Sequence, residues 1–347
     1  MKKQTFFIAV FGLLWATCLH AQELIPYRKG DKWGFCTPDK KIVISPKYDD
    51  VRKFNEGLAK VKLNGKVGFI DKTGKVIVTP KYDYDFNFFY RVYFSEGLAG
   101  VQLNGKWGFI DKTGKVIVPP KYDDALDLEE VLAEGVMPEV ILYEPHFHEG
   151  FARVKLNGKY GFIDKTGNEI VPPKYDKVRD FSKGLARVLL NGKWGFIDKT
   201  SKEIVTPKYD YAKDFQEGLA LVKLNGRWGF IDKTGNEIVP PKYDDAWSFH
   251  EGLAKVKLNG KWGFIDKTGK EIVTPKYDEV RDFHEGLALV ILNRKYGFID
   301  KTGKKIVPSK YDDADDFKEG LARVALNGKK FYIKVFPDGK VVEYYDE

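Results

Sequence analysis

The sequence predicts an all-β tandem array of about nine three- to four-stranded β-meander repeats, and three observations carry that prediction. A Gly-Phe pair recurs at Gly34, Gly68, Gly108, Gly161, Gly195, Gly229, Gly263 and Gly297, at a step of 34 residues interrupted only by one step of 40 and one of 53. Each unit concentrates Val, Ile, Phe, Tyr and Trp, the residues that suit short strands. Each also carries Pro, an Asn-Gly pair and further Gly, which break helices, so paired-helix repeats of similar period are excluded.

The chain opens with Lys2 and Lys3 ahead of an apolar run from Phe6 to Leu19 that ends at the small residue Ala21. This pattern reads as a secretory leader over residues 1–21, too short for a comfortable membrane span of about 20 apolar residues. Residues 22–347 then form the array as a single domain, exported to the periplasm, the cell surface or the medium of a bacterium. Trp15 and Thr17 fit poorly around Cys18 as a lipid-bearing cysteine. Cleavage after Ala21 leaves Cys36 alone, so no internal disulfide is expected.

Within a unit, the stretch from Gly252 is representative. Leu253 to Leu258 reads as a strand, Asn259-Gly260 as a two-residue type I′ turn, and Lys261 to Ile265 as the partner strand. Asp266 to Gly269 forms a second tight turn with Gly at the position of positive φ, and Lys270 to Val273 a third strand that Pro275 ends by removing a ladder donor. The connection through Val280 and Phe283 leaves room for a short fourth strand. If Leu258 faces Lys261, then Ala254, Val256, Gly263 and Ile265 share one face and Leu253, Trp262 and Phe264 the other. Both faces are apolar, so a unit must be sandwiched between neighbours. Gly263 is expected to make room for side chains of the adjacent unit. The chain starts and ends at about the same phase of the unit, which favours an open stack or superhelix over a closed β-propeller.

Lys32-Trp33-Gly34-Phe35, Lys106-Trp107-Gly108-Phe109, Lys193-Trp194-Gly195-Phe196 and Lys261-Trp262-Gly263-Phe264 come with Gly-Leu-Ala, Asn-Gly, Asp-Lys-Thr-Gly and Lys-Tyr-Asp in most units. In these motifs the chain resembles the bacterial WG-repeat (KWG-repeat) proteins over nearly all of the exported part. The resemblance implies a β-repeat protein without known catalysis and names no substrate. Val67, Tyr160 and Tyr296 depart from it in place of Trp, and Ser201 in place of the turn Gly. A weaker likeness, over about 20 residues per unit, is to choline-binding-type cell-wall repeats.

The formal charge is +8, of which two units leave with Lys2 and Lys3, and lysines and carboxylates are interleaved throughout. That pattern excludes the concentrated basic face of a nucleic-acid binder. Asp-Lys-Thr-Gly resembles a phosphorylated-aspartate motif, but it occurs six times, at Asp71, Asp111, Asp164, Asp232, Asp266 and Asp300, and so reads as a turn cap. His148, His250 and His284 share the setting Phe-His-Glu-Gly, where other units place Asn55, Ser95, Ser182, Gln216 or Lys318, and read as an exposed variable position rather than a metal column. Neither cofactor nor metal nor catalytic residue is expected.

The two breaks in period hold the candidate site. Residues 83–94 are aromatic-rich and 123–148 acidic, and both insertions fall in the same connection of consecutive units. Phe86, Phe88, Phe89, Tyr90 and Tyr93 beside Glu129, Glu130 and Glu134 would grip a basic peptide or stack on sugar rings. The expected role is a non-enzymatic protein-interaction scaffold of the cell envelope with an unidentified protein partner. The alternative is binding of polysaccharide or peptidoglycan.

Overall fold

The computed structural model describes residues 23–83, 94–123, 146–336 and 338–344, and these contain no helix. They form nine antiparallel sheets in tandem. The seventh shows the pattern: Asp245–Ala246, Leu253–Leu258, Lys261–Asp266 and Glu271–Tyr277, hydrogen-bonded in chain order. Leu258 faces Lys261, Val256 faces Gly263 and Ala254 faces Ile265, the register expected from the Asn-Gly turn. Asn259 and Gly260 both have positive φ, at 50° and 77°, as a type I′ turn demands. A second such turn precedes the first long strand, where Glu251 (φ 50°) and Gly252 (φ 85°) are bracketed by paired His250 and Leu253. The short outer strand lies in the connection that left room for it.

Two expectations about the third strand are corrected. Pro275 does not end it, because Glu271–Tyr277 continues through the proline. Phe264 pairs with Val273 and Trp262 with Tyr277, so two extra residues bulge out opposite Gly263 and the proline sits in the bulge, where no ladder donor is needed. The glycine therefore serves its own sheet rather than the neighbour. A Cβ on Gly263 would lie 2.2 Å from the Val273 carbonyl oxygen and 2.8 Å from Pro275 N. The ninth sheet gives the converse case. Phe331 stands in place of the glycine, and there Tyr332 to Val335 pair with Tyr344 to Val341 without a register shift.

Close approach between sheets falls instead on the turn glycine. A Cβ on Gly269 would lie 2.8 Å from Val239 Cγ2 of the sixth sheet. The Asp266 carboxylate holds this turn by accepting hydrogen bonds from Thr268 N, Thr268 Oγ1 and Lys270 N at 2.9, 2.6 and 3.1 Å. The aspartate of Asp-Lys-Thr-Gly is thus a turn cap.

Both faces of each inner sheet are buried. Between the sixth and seventh sheets, Phe230, Val239 and Tyr243 pack on Ala254, Val256 and Ile265, and Phe249 enters from the connection. Phe249 meets Phe230 with ring centroids 4.9 Å apart, and the equivalent pair recurs from Phe35–Phe54 to Phe298–Phe317. Nine sheets in a closed ring would share nine interfaces. Among the described residues there are eight apolar clusters, each joining consecutive sheets, and none joins the first to the ninth. The array is an open stack. Its ninth sheet turns a mixed outer surface to solvent, with Arg323, Lys330 and Lys334 interleaved among exposed Leu321, Tyr332 and Tyr344.

Candidate functional site

The site residues expected from the sequence, Phe86, Phe88, Phe89, Tyr90, Tyr93, Glu129, Glu130 and Glu134, lie outside the described residues. The described ends of the two insertions belong to the framework. Asp83 and Asp123 pair with Lys66 and Lys106 of their own sheets. Phe94, counted with the aromatic insertion, is buried and meets Phe69 edge-on at 5.2 Å, so it is a core residue. Ser95 Oγ donates to the Phe147 carbonyl at 2.7 Å, which brings the C-terminal ends of both insertions side by side.

Among the described residues, the outer edges of the seventh and eighth sheets form an open groove of 590 Å³. Its floor is aromatic. Trp247 follows the outer strand, its backbone N–H donating to the Lys255 carbonyl at 3.0 Å, and at 53% exposure it is the most exposed large apolar residue described. Equivalent positions hold Arg52, Arg179, Lys213, Arg281 and Asp315, so the tryptophan departs from a polar column. Half-buried Trp262 lies on Lys261–Asp266, the third strand in from that edge.

Charged groups of both signs wall the groove. Lys255 Nζ sits 4.7 Å from the Trp247 ring centroid and 2.9 Å from Asp282 of the eighth sheet, and Lys213 Nζ is 5.9 Å from the same ring. Lys257 lies over Trp262 at 5.5 Å. Arg281 reaches Asp316 of the ninth sheet at 3.3 Å. Such pairs between successive sheets recur as Arg153–Asp180 and Arg187–Asp214, so the edge that carries the groove is braced across the stack. The arrangement offers two indole rings, each with a lysine ammonium over it and carboxylate groups nearby, which suits a mixed-charge polypeptide segment. Sequence reasoning missed this groove because it lies on regular repeats. The signal was there in Trp247, the one aromatic ring at that position among the described residues.

The histidines stand immediately before the Glu-Gly turns, His148 and His284 at the ends of short outer strands and His250 in the bridge to Leu253. His148 Nδ1 lies 2.8 Å from the Phe181 carbonyl oxygen of the next sheet, and His250 and His284 are exposed.

An open stack of β-meander sheets with a groove along its edge defines a β-repeat array. The chain belongs to the WG containing repeat family, whose pattern matches residues 33–66, 68–107, 107–130, 145–160, 160–194, 194–228, 228–262, 262–296 and 296–329. No curated protein matches the sequence. Among solved structures, a eukaryotic initiation factor is similar at 10% identity over 94% of this chain and 98% of its own, with a TM-score of 0.34. A streptogramin B lyase is similar at 18% identity over 58% and 81%, with a TM-score of 0.25. PorZ, a bacterial surface component of the type-IX secretion system of Porphyromonas gingivalis, is similar at 13% identity over 86% and 45%, with a TM-score of 0.26. At these TM-scores the likenesses carry no argument about this chain.

Proposed function

We propose that the chain is a non-enzymatic interaction scaffold of the bacterial cell envelope, exported by the leader at residues 1–21, that binds a protein partner along the edge of the stack. The observation that supports it best is the groove at Trp247, where a large apolar ring is held half out of water among charges of both signs. Exposed aromatic anchors with a polar rim are the usual centres of protein interfaces. The glycan reading draws on the same ring. It is the weaker of the two, because the Lys255 ammonium already lies over the face on which a sugar would stack.

Crosslinking in envelope extracts, followed by pull-down with the exported chain, tests the proposal. A defined protein partner that the Trp247→Ala variant captures at least about thirtyfold more weakly is the expected result, since loss of an aromatic anchor commonly costs about 2 kcal/mol. Retention on peptidoglycan with no protein partner would replace the scaffold reading by the glycan one.

A further inference from the structure

At six interfaces a glutamate of one sheet clamps the next. Glu149 accepts from the backbone N–H groups of Lys183 and Gly184 at 2.7 and 3.0 Å and pairs with Lys199 at 3.0 Å. Glu217 does the same to Gly252 and Lys267 at 3.0 and 2.9 Å, and these contacts, Lys267 first, hold its carboxyl below the usual range. Glu56 and Glu96 each take a glycine amide and a lysine, Glu285 takes two amides, and Glu251 takes Lys301. These interfaces share a receptor of turn amides with positive φ and, in all but the eighth-to-ninth, the lysine of Asp-Lys-Thr; the carboxylate of the sheet before takes one or two of the amides at five of them and, at Glu251, the lysine alone.

Between the fifth and sixth sheets the receptor is present and the carboxylate is not. Lys183 stands where the glutamate belongs. Its ammonium donates to the Phe215 carbonyl at 3.3 Å, and Lys233, the receptor's lysine, reaches the Lys183 carbonyl at 3.3 Å. Among the described residues the amides of Glu217 and Gly218 find no acceptor, while the Glu217 side chain is committed to the next sheet. A groove of 490 Å³ opens beside them, lined by Lys183, Lys213, Arg187 and Asp214, with Asp214 neutralised by Arg187 at 2.6 and 3.2 Å. The local balance is positive.

We propose that this vacated clamp is a binding site for a carboxylate side chain of a partner protein, with Glu217 N–H, Gly218 N–H, Lys183 and Lys233 as its donors. The chain itself supplies the argument for carboxylate, because the equivalent donors hold one at other interfaces. That the carboxylate comes from a protein rests on the scaffold reading; the site itself does not.

The test follows the Gly218 amide by NMR in the exported chain, titrated with a short glutamate-containing peptide, its glutamine counterpart and inorganic phosphate. The glutamate peptide should move the Gly218 amide saturably and the glutamine peptide should not. Lys183→Glu supplies the carboxylate internally. It should place the Gly218 amide where the clamped Gly252 amide lies, weaken the peptide at least about tenfold and raise the melting temperature. Lys29→Glu makes the same charge change at an exposed lysine of the first sheet, outside every Asp-Lys-Thr turn, and should leave binding unchanged. Equal binding by Lys183→Glu, or equal loss in Lys29→Glu, would overturn the site. Phosphate acting where the peptide does not would overturn the carboxylate assignment. No cellular partner enters this titration, so a failed pull-down and a failed site remain distinguishable.

Discussion

Gly229 shows how a single residue is fixed by backbone rather than by side chains. An added Cβ would lie 2.4 Å from the Val239 carbonyl oxygen and 2.7 Å from Pro241 N, both in its own sheet. Because the clash begins at Cβ, Gly229→Ala should already destabilise by about 1 to 3 kcal/mol, with Gly229→Val no less harmful. Urea unfolding of the two variants checks this. An alanine variant as stable as the parent would restore the reading in which the glycine merely makes room for a neighbouring sheet. The sequence showed that a small residue was required here, and the pairing of Val256 with Gly263 was legible from the Asn-Gly turn. The bulge was not legible, since a proline at the end of an apolar run reads as a stop unless the strand beyond it is seen to pair.

At the scale of the strand, the buried tyrosine of Lys-Tyr-Asp links consecutive sheets. Tyr209 donates to Glu237 at 2.9 Å and Tyr122 to Glu169 at 2.8 Å. Where the glutamate is replaced, by Val76 and Lys305, the hydroxyls of Tyr48 and Tyr277 are buried and find no hydrogen-bond partner among the described residues. Val76→Glu and Lys305→Glu should therefore each stabilise by about 1 kcal/mol, and Glu237→Val should cost a similar amount, read as shifts in the unfolding midpoint. Burial, reinforced by Glu271, pushes the Tyr243 hydroxyl up to about 12, and Tyr82, Tyr122, Tyr175, Tyr209, Tyr277 and Tyr311 are also raised. A folded-state value above the unfolded one gives stability that is complete below about pH 10 and lost as pH rises toward 12. Tyrosinate absorbance should accordingly appear together with loss of β-structure. Titration of these tyrosines in a chain that stays folded would contradict their burial. The turn aspartates work in the opposite direction: hydrogen bonds, from Thr268 first at Asp266, lower their values, so their contribution is present above about pH 4 and lost below it.

For the whole molecule, the decisive property is that the stack does not close. The phase of the chain ends hinted at this, but a hint from phase cannot exclude a ring; the eight clusters among nine sheets do. The candidate site was less legible. Period breaks drew attention to the insertions, while the Trp247 groove needs the knowledge that edges of successive sheets line up. Removing the ninth sheet, residues 313–347, should leave the other eight folded and expose the Phe298, Val307 and Tyr311 face of the eighth. The truncated chain is expected to self-associate in light scattering where the parent does not. A monodisperse truncated chain would show that the ninth sheet, with its lysine- and arginine-bearing outer face, is not a cap.

An unclosed stack has two free ends, and so it can be pulled. Tension applied there would be carried in series through contacts that each join only two sheets, so extension should proceed in discrete events rather than one rupture. Each event would release a unit of 34 residues, roughly 110 Å of contour at full extension. Among the junctions from the second sheet to the ninth, the first slip is expected between the fifth and sixth, where Lys183 leaves the junction without its carboxylate tie. A stack of this kind would lengthen under load while most of its sheets stayed intact.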